Sequence, residues 1–327
     1  MIDKHLITAA IALTLSAALP QGDGPPPAAD LKPSDWVTEL YKGRPETLIS
    51  ELILPGTHDS GSYKITADSP PASGAPSLYS RFGGVAASWA KTQDKDLGQQ
   101  LLDGIRYLDL RIDEYEGELV LIHGLVSCPL KAELLGVRDF AKKHPKEPVV
   151  LDIQDMPPPG AYEELDELLL ELFSEHLYQA KGPPKDWSLE SVWETGRSLI
   201  TLSADQSFSR KGARYQHRSV LDSVWTNTRD VESLKRGLDQ RISSRDRSRL
   251  QCAYLTFTPT SSTIASDSFR GRRGLRGISE KLFKLPGKWL PRWLDEGSHP
   301  NIISVDYYDK TDVVEAALAA NRRLLET

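Results

Sequence analysis

LPGTHDSGSY, residues 54 to 63, sets a histidine beside an aspartate on a stretch rich in glycine, directly after the short apolar run LIL. The run reads as a strand over 51–54 that ends on two titratable groups, His58 and Asp59. Pro55 and Gly56 are expected to supply a sharp turn. Gly61 is expected to let the chain leave without crowding a ligand. The same ending recurs along the chain. IRYLDLRI carries Asp109 and Arg111, which share a face by two-residue alternation. LVLIHG ends in His123, VVLDIQD carries Asp152, Gln154 and Asp155, and IISVDYYD carries Asp306.

Strand patterns cover 51–54, 105–111, 119–122, 149–153, 199–202, 219–224, 253–257 and 302–305. Helical patterns fill most of the intervals, notably 161–175, 229–246 and 311–325. This alternation predicts an α/β fold with a mostly parallel sheet, and the strand count suggests closure into a barrel. In such a barrel the C-terminal strand ends meet at one mouth, where catalytic groups collect. One link is irregular: IDEYEGE is too short for a helical crossover between parallel strands.

The chain has 327 residues, 39% hydrophobic and 26% charged, which suits a single large globular domain. A net charge of -6 argues against a nucleic-acid partner. Cys128 and Cys252 form no CxxC pair and read as two buried thiols or one disulfide. The apolar run Leu6 to Leu19 is too short to span a bilayer and has the length of a signal-peptide core, so residues 1–20 suggest export. Residues 21–44 form a Pro/Gly/Ala-rich linker and lead-in, and 66–93 a long loop at the rim.

Each strand-end residue has an ordinary structural reading. A lone histidine can bond a backbone carbonyl, Arg111 can pair with Asp109, Asp152 can cap a helix and Asp306 can start a turn. Their joint placement is harder to explain that way, because buried charges need partners. Two histidines suit a general base and a general acid. Arginine suits phosphate, and aspartates orient imidazoles. Together they describe cleavage of a phosphodiester by a neighbouring hydroxyl.

LPGTHDSG, QQLLDGIRYLDLRI, LIHG and EPVVLDIQD, in this order, resemble the X-domain of phosphatidylinositol-specific phospholipases C, in particular the bacterial-type enzymes and the stand-alone X-domain-containing phosphodiesterases. SVWTNTRDVESL, YLTFTPT and NIISVDYYD extend the likeness over 45–325. The resemblance implies a distorted (β/α)8 TIM barrel in one domain. It implies a phosphatidylinositol diacylglycerol-lyase in which the inositol 2-hydroxyl attacks phosphorus, giving diacylglycerol and a cyclic inositol phosphate. His58 then matches the general base, Asp306 the carboxylate that orients it, and His123 the general acid. Asp59 matches the carboxylate assisting that acid, Arg111 the arginine facing the phosphate, and Asp109 its acidic neighbour near the headgroup.

Arg111 stands where calcium-dependent members hold carboxylate and amide ligands, so no metal or other cofactor is expected. The bacterial enzymes carry a lysine and an arginine on the fourth and fifth strands; here Gln154 and Ser203–Ala204 stand nearest. That puts the headgroup in question more than the chemistry. Trp225 is a candidate headgroup wall.

Residues 268–294 hold eight Lys or Arg against one Glu, interleaved with aromatics. Trp289 and Trp293 there read either as contacts to an anionic membrane surface or as part of a helix docked on the barrel. A monomer acting on phosphatidylinositol or a related phospholipid is expected. The alternatives are a metal-dependent barrel phosphodiesterase of the glycerophosphodiesterase or sphingomyelinase D type, or a non-catalytic headgroup-binding barrel.

Overall fold

Alternation along each strand explains the architecture. Tyr107, Asp109 and Arg111 face one way, and Leu108, Leu110 and Ile112 the other. The outward residues join one apolar cluster with the surrounding helices, while Leu54, Tyr107, Val150, Ile200, Cys252 and Ile302 form a second cluster inside the sheet. The inner face is therefore apolar at its base and polar towards the strand ends.

The computed structural model describes residues 31–75, 83–209, 214–260, 264 and 274–326. The strands are β1 (Leu54–Thr57), β2 (Tyr107–Tyr115), β3 (Glu118–Ile122), β4 (Val126–Pro129), β5 (Val149–Asp155), β6 (Leu199–Ser203), β7 (Tyr215–His217), β8 (Leu221–Val224), β9 (Leu250–Leu255) and β10 (Ile302–Val305). The helices are α1 (Trp36–Tyr41), α2 (Gly83–Ala90), α3 (Leu97–Leu102), α4 (Leu130–Lys143), α5 (Tyr162–Phe173), α6 (Leu189–Thr195), α7 (Gln206–Ser209), α8 (Val231–Ser243), α9 (Gly274–Ser279), α10 (Pro286–Asp295) and α11 (Val313–Glu326). In α8 the Asp230 side chain accepts from Ser233 N–H, and Leu234, Leu238 and Ile242 are buried at four-residue spacing.

Eight strands run parallel in the order β7-β6-β5-β2-β1-β10-β9-β8, a curled sheet of the TIM-barrel kind. Among the described residues β7 and β8 do not pair. Only Arg218–Val220 separates them, far short of the dozen or so residues a parallel crossover requires. The irregular link flagged in the sequence is an antiparallel excursion: β3 and β4 pair with β2 and with each other, off the barrel. The predicted strand 119–122 is thus not a barrel strand, and β7, too short to show a pattern, takes its place.

Two glycine assignments need correction. Pro55 and Gly56 lie within β1 and make no turn. A Cβ on Gly56 would meet Tyr107 Cδ1 at 2.8 Å, so this glycine admits the tyrosine ring. A Cβ on Gly61 would strike Leu121 of the excursion, so Gly61 makes room for packing and not for a ligand.

The lead-in from residue 31 packs onto the barrel base, where Trp36 and Val37 are fully buried. Glu147 holds it there, accepting from Thr38 N–H (2.8 Å), Thr38 Oγ1 (2.6 Å) and Val37 N–H (3.2 Å). Arg106, buried at the foot of β2, donates to the same carboxylate at 2.7 and 3.0 Å. Both cysteines are free and buried. No helix among the described residues is long and apolar enough to cross a membrane. The run Leu6 to Leu19 lies outside the described residues. Glu147→Ala would leave a buried guanidinium without its counter-charge and should destabilise the fold by about 3–5 kcal/mol. Urea unfolding reads this as a lower midpoint, and an unchanged midpoint would contradict it.

Candidate active site

Register brings the strand-end residues together. β1 pairs with β10 up to Thr57↔Val305, so the next residues, His58 and Asp306, are neighbours. β1 pairs with β2 at Thr57↔Leu108, which sets His58 beside Asp109, and Asp109 lies opposite Asp152 on β5. His123 arrives by another route. β2 runs beyond the mouth, and the chain turns at Glu116 and Gly117, whose φ angles of 52° and 80° suit a tight hairpin. β3 then descends with Ile112↔Leu121 in register. Continuing that register brings His123 level with Leu110, over the mouth.

The carboxylate of Asp59 is the centre. Its Oδ2 lies 3.1 Å from His58 Nε2 and 3.0 Å from His123 Nε2, and its Oδ1 pairs with Arg111 Nε. Arg111 also faces Asp155 at 3.3 Å and Asp109 at 3.6 Å. His58 Nδ1 lies 2.8 Å from Asp306 Oδ1, and His123 Nδ1 is 2.6 Å from the Ala90 carbonyl, to which it donates. Asp59 is buried and adopts φ 43°, a left-handed conformation that aspartate tolerates better than most residues.

This environment separates the titrations of the two imidazoles. Burial alone would lower His58, but Asp59, Asp306 and Asp109 outweigh it and push its pKa up to about 9. Burial lowers His123 below its ordinary value, and repulsion from Arg111 and His58 adds to this against the pull of Asp59. Burial would raise Asp59, yet Arg111 and both histidines hold it below the usual carboxylate range. Burial, with Asp59 nearby, raises Asp109 to about 7 against the pull of Arg111.

His58, Asp59 and Asp109 each offer a ligand atom within 4.8 Å of one another, a donor set of the kind a divalent cation uses. The Arg111 guanidinium already lies against both carboxylates.

The side wall was less legible in the sequence. Asp152 caps no helix: Arg218 Nε lies 2.9 and 3.0 Å from its two oxygens, and Tyr107 OH donates to it at 2.7 Å. Arg218 Nη2 also donates to Ser223 Oγ at 2.7 Å. This arginine comes from the unpaired break between β7 and β8, so no strand pattern pointed to it. Gln154 Nε2 donates to Tyr254 OH at 2.6 Å and lines an open cleft of about 410 Å³ with Asp113, Asp155, Tyr162 and Asp205. Tyr254 could have been found by alternation from Cys252. Trp225 is 42% exposed, its ring centroid 5.2 Å from that of His58.

The membrane reading of Trp289 and Trp293 does not hold. They are 6% and 1% exposed, on the inner face of α10, and Trp293 Nε1 donates to Asp239 of α8 at 2.7 Å. The aromatic spacing expressed a docked amphipathic helix. Residues 268–273 of that stretch lie outside the described residues.

Residues 85–200 match the phosphatidylinositol-specific phospholipase C, X domain. This stretch of the chain carries the X-domain match, and curated relatives that bear the domain's name align with most of the chain. It is 27% identical over 312 residues to the human PI-PLC X domain-containing protein 3, covering 89% of this chain and 94% of that protein. It is 27% identical over 320 residues to the human PI-PLC X domain-containing protein 1, covering 89% and 93%. In fold it is similar to the phosphatidylinositol-specific phospholipase C from Listeria monocytogenes, with a TM-score of 0.64 at 18% identity, covering 89% of this chain and 99% of that one. The family match contains Asp109, Arg111 and His123, while His58 and Asp306 join the site through β1 and β10 on either side of it.

Asp306→Asn removes a negative partner of the His58 imidazolium, so the His58 pKa should fall from about 9 towards 6.5. The raised folded value stabilises the protein fully below pH 6.5, and that contribution is lost as pH rises through about 9. A proton NMR titration of the His58 ring reads the shift, and an unmoved titration would contradict the assignment.

Proposed function

We propose that this X-domain protein is a metal-independent phosphatidylinositol phospholipase C that releases diacylglycerol and a cyclic inositol phosphate. The observation that carries the reading is the sharing of one carboxylate by two imidazoles and a guanidinium. It gathers a base, an acid and a fixed cation around one carboxylate.

In this reading His58 Nε2 takes the proton of the inositol 2-hydroxyl as the O2–P bond forms. Asp306 holds the ring by Nδ1 and favours the imidazolium that results. His123 Nε2 gives a proton to the glycerol oxygen as the P–O bond to diacylglycerol breaks. Ala90 keeps the His123 Nδ1 proton engaged, so Nε2 is the nitrogen left for chemistry. Arg111 opposes charge building on the phosphoryl oxygens and so supplies what a metal would otherwise bring. Trp225 and the Tyr254–Gln154–Arg218 wall bound the headgroup. The N-terminal apolar run fits a role outside the cytoplasm.

The free site prefers its proton on His58, whereas the reaction starts with the proton on His123. A bound phosphodiester supports the transfer, because its negative charge beside His123 raises the affinity of that ring for a proton.

Phosphorus NMR of phosphatidylinositol vesicles with the protein in excess EGTA should show a cyclic inositol phosphate. The signal should fall by at least about 100-fold in His58→Ala and in His123→Ala. Activity only after added Ca²⁺ would overturn the role of Arg111, and silence under both conditions would overturn the reaction. The kcat/KM profile should rise with pH through the His123 titration, below 6.5, and fall again through about 9 as His58 loses its proton. A single-limbed profile would contradict the two-imidazole mechanism. Trp225→Ala should raise KM with kcat largely kept, and an unchanged KM would remove it from the headgroup wall.

A further inference from the structure

Residues 90–93 belong to no barrel strand, yet they touch the backbone at the ends of β1 and β10 and the ring of His123. Thr92 and Gln93 are completely buried. A buried hydroxyl and a buried amide in a loop call for partners, and here the partners are specific. The β1–β10 ladder ends with His58 N–H donating to the Val305 carbonyl at 3.0 Å. Beyond it both chains swing into the left-handed region, at Asp59 (φ 43°) and Tyr307 (φ 48°). The carbonyls of His58 and Val305 then need further donors.

Gln93 Nε2 donates to both, each at 2.9 Å, and its Oε1 accepts from Tyr308 N–H at 3.3 Å, which fixes the orientation of the amide. Thr92 Oγ1 lies 2.9 Å from the His58 carbonyl and 3.1 Å from that of Asp59. The Thr92 carbonyl accepts from Tyr307 N–H at 2.6 Å. Two residues earlier, the Ala90 carbonyl holds His123 Nδ1.

We propose that Gln93 and Thr92 are positioning residues for the reaction. They fix the backbone on which His58, Asp59 and Asp306 stand, while the Ala90 carbonyl of the same segment fixes the ring of His123. One four-residue clip thereby sets both imidazoles relative to each other. Two left-handed residues, one of them a bulky tyrosine, need over-determination of this kind. The inference rests on the reading of His58 and His123 as the reacting pair, but its test does not depend on turnover alone.

Gln93→Glu keeps the size of the side chain and replaces a double donor with a group that repels both carbonyls. Thr92→Val keeps the shape and removes the hydroxyl, and Thr92→Ser restores it. In the parent protein the proton between His58 Nδ1 and Asp306, 2.8 Å apart, should give a downfield NMR line, assigned by its loss in Asp306→Asn. Folded Gln93→Glu and Thr92→Val should lose or broaden that line. Their kcat should fall about 100-fold, the scale of an error near 1 Å in placement, with KM kept within about twofold. Thr92→Ser should regain both. Folded variants that keep the line and kcat would overturn the proposal. Should Gln93→Glu not fold, Thr92→Val decides by the same readouts. Should the protein cleave no phosphatidylinositol, the NMR line still decides the positioning, and only the proposed reaction fails.

Discussion

A carboxylate buried as deeply as Asp59 loses several kcal/mol of hydration, so it is tenable only among cations. Two groups supply the compensation, Arg111 on one oxygen and the His58 imidazolium on the other, where His123 Nε2 also lies. The arrangement binds its members mutually. Without Asp59 the guanidinium would lose its closest counter-charge, and the two imidazoles, with ring centroids 5.9 Å apart, would lose their shared acceptor. Most of the fold around the mouth can be understood as what is needed to bring these four side chains to one point.

That demand explains the departures from a regular barrel. Three of the four groups come from neighbouring strands, His58 and Asp59 just past the end of β1 and Arg111 within β2, where register delivers them. The fourth, His123, is not on a barrel strand, and the extra length of β2 with the β3–β4 hairpin carries it back over the mouth. Between β7 and β8, which do not pair among the described residues, the chain contributes Arg218, whose guanidinium neutralises Asp152 inside the barrel. An apolar base closed by Trp36 and an ion-paired rim above it divide the interior by polarity. The two arginines of RYLDLR divide in the same way: Arg106 ties down the base through Glu147, and Arg111 serves the mouth.

The electrostatics carry a chemical consequence. The Nε2 atoms of both imidazoles face Asp59, and the proton preference favours His58 over His123. An anion entering this site would therefore have to compete with a buried carboxylate for the imidazoles. Such a site holds its groups poised but mutually satisfied until a second negative charge enters, which limits the desolvation penalty of the empty state.

The sequence by itself determined the alternation of strands and helices, the barrel class and the cluster of ionisable residues at strand ends, because two-residue alternation and turn chemistry are local properties. It made His58, Asp59, Asp109, Arg111, His123 and Asp306 visible as a set. Tertiary structure alone decided how they are wired. That Arg111 pairs first with Asp59, and that Asp59 serves both histidines, depends on strand register and on the descent of β3. That β7 is a barrel strand while 119–122 is not follows from pairing partners far apart in the chain. Trp289 and Trp293 show the limit most plainly: their spacing is that of an amphipathic face, and only packing against α8 shows that the face is turned inward. Gln93 and Thr92 carried no pattern at all, since what makes them necessary is a pair of carbonyls that exists only where two strands end side by side.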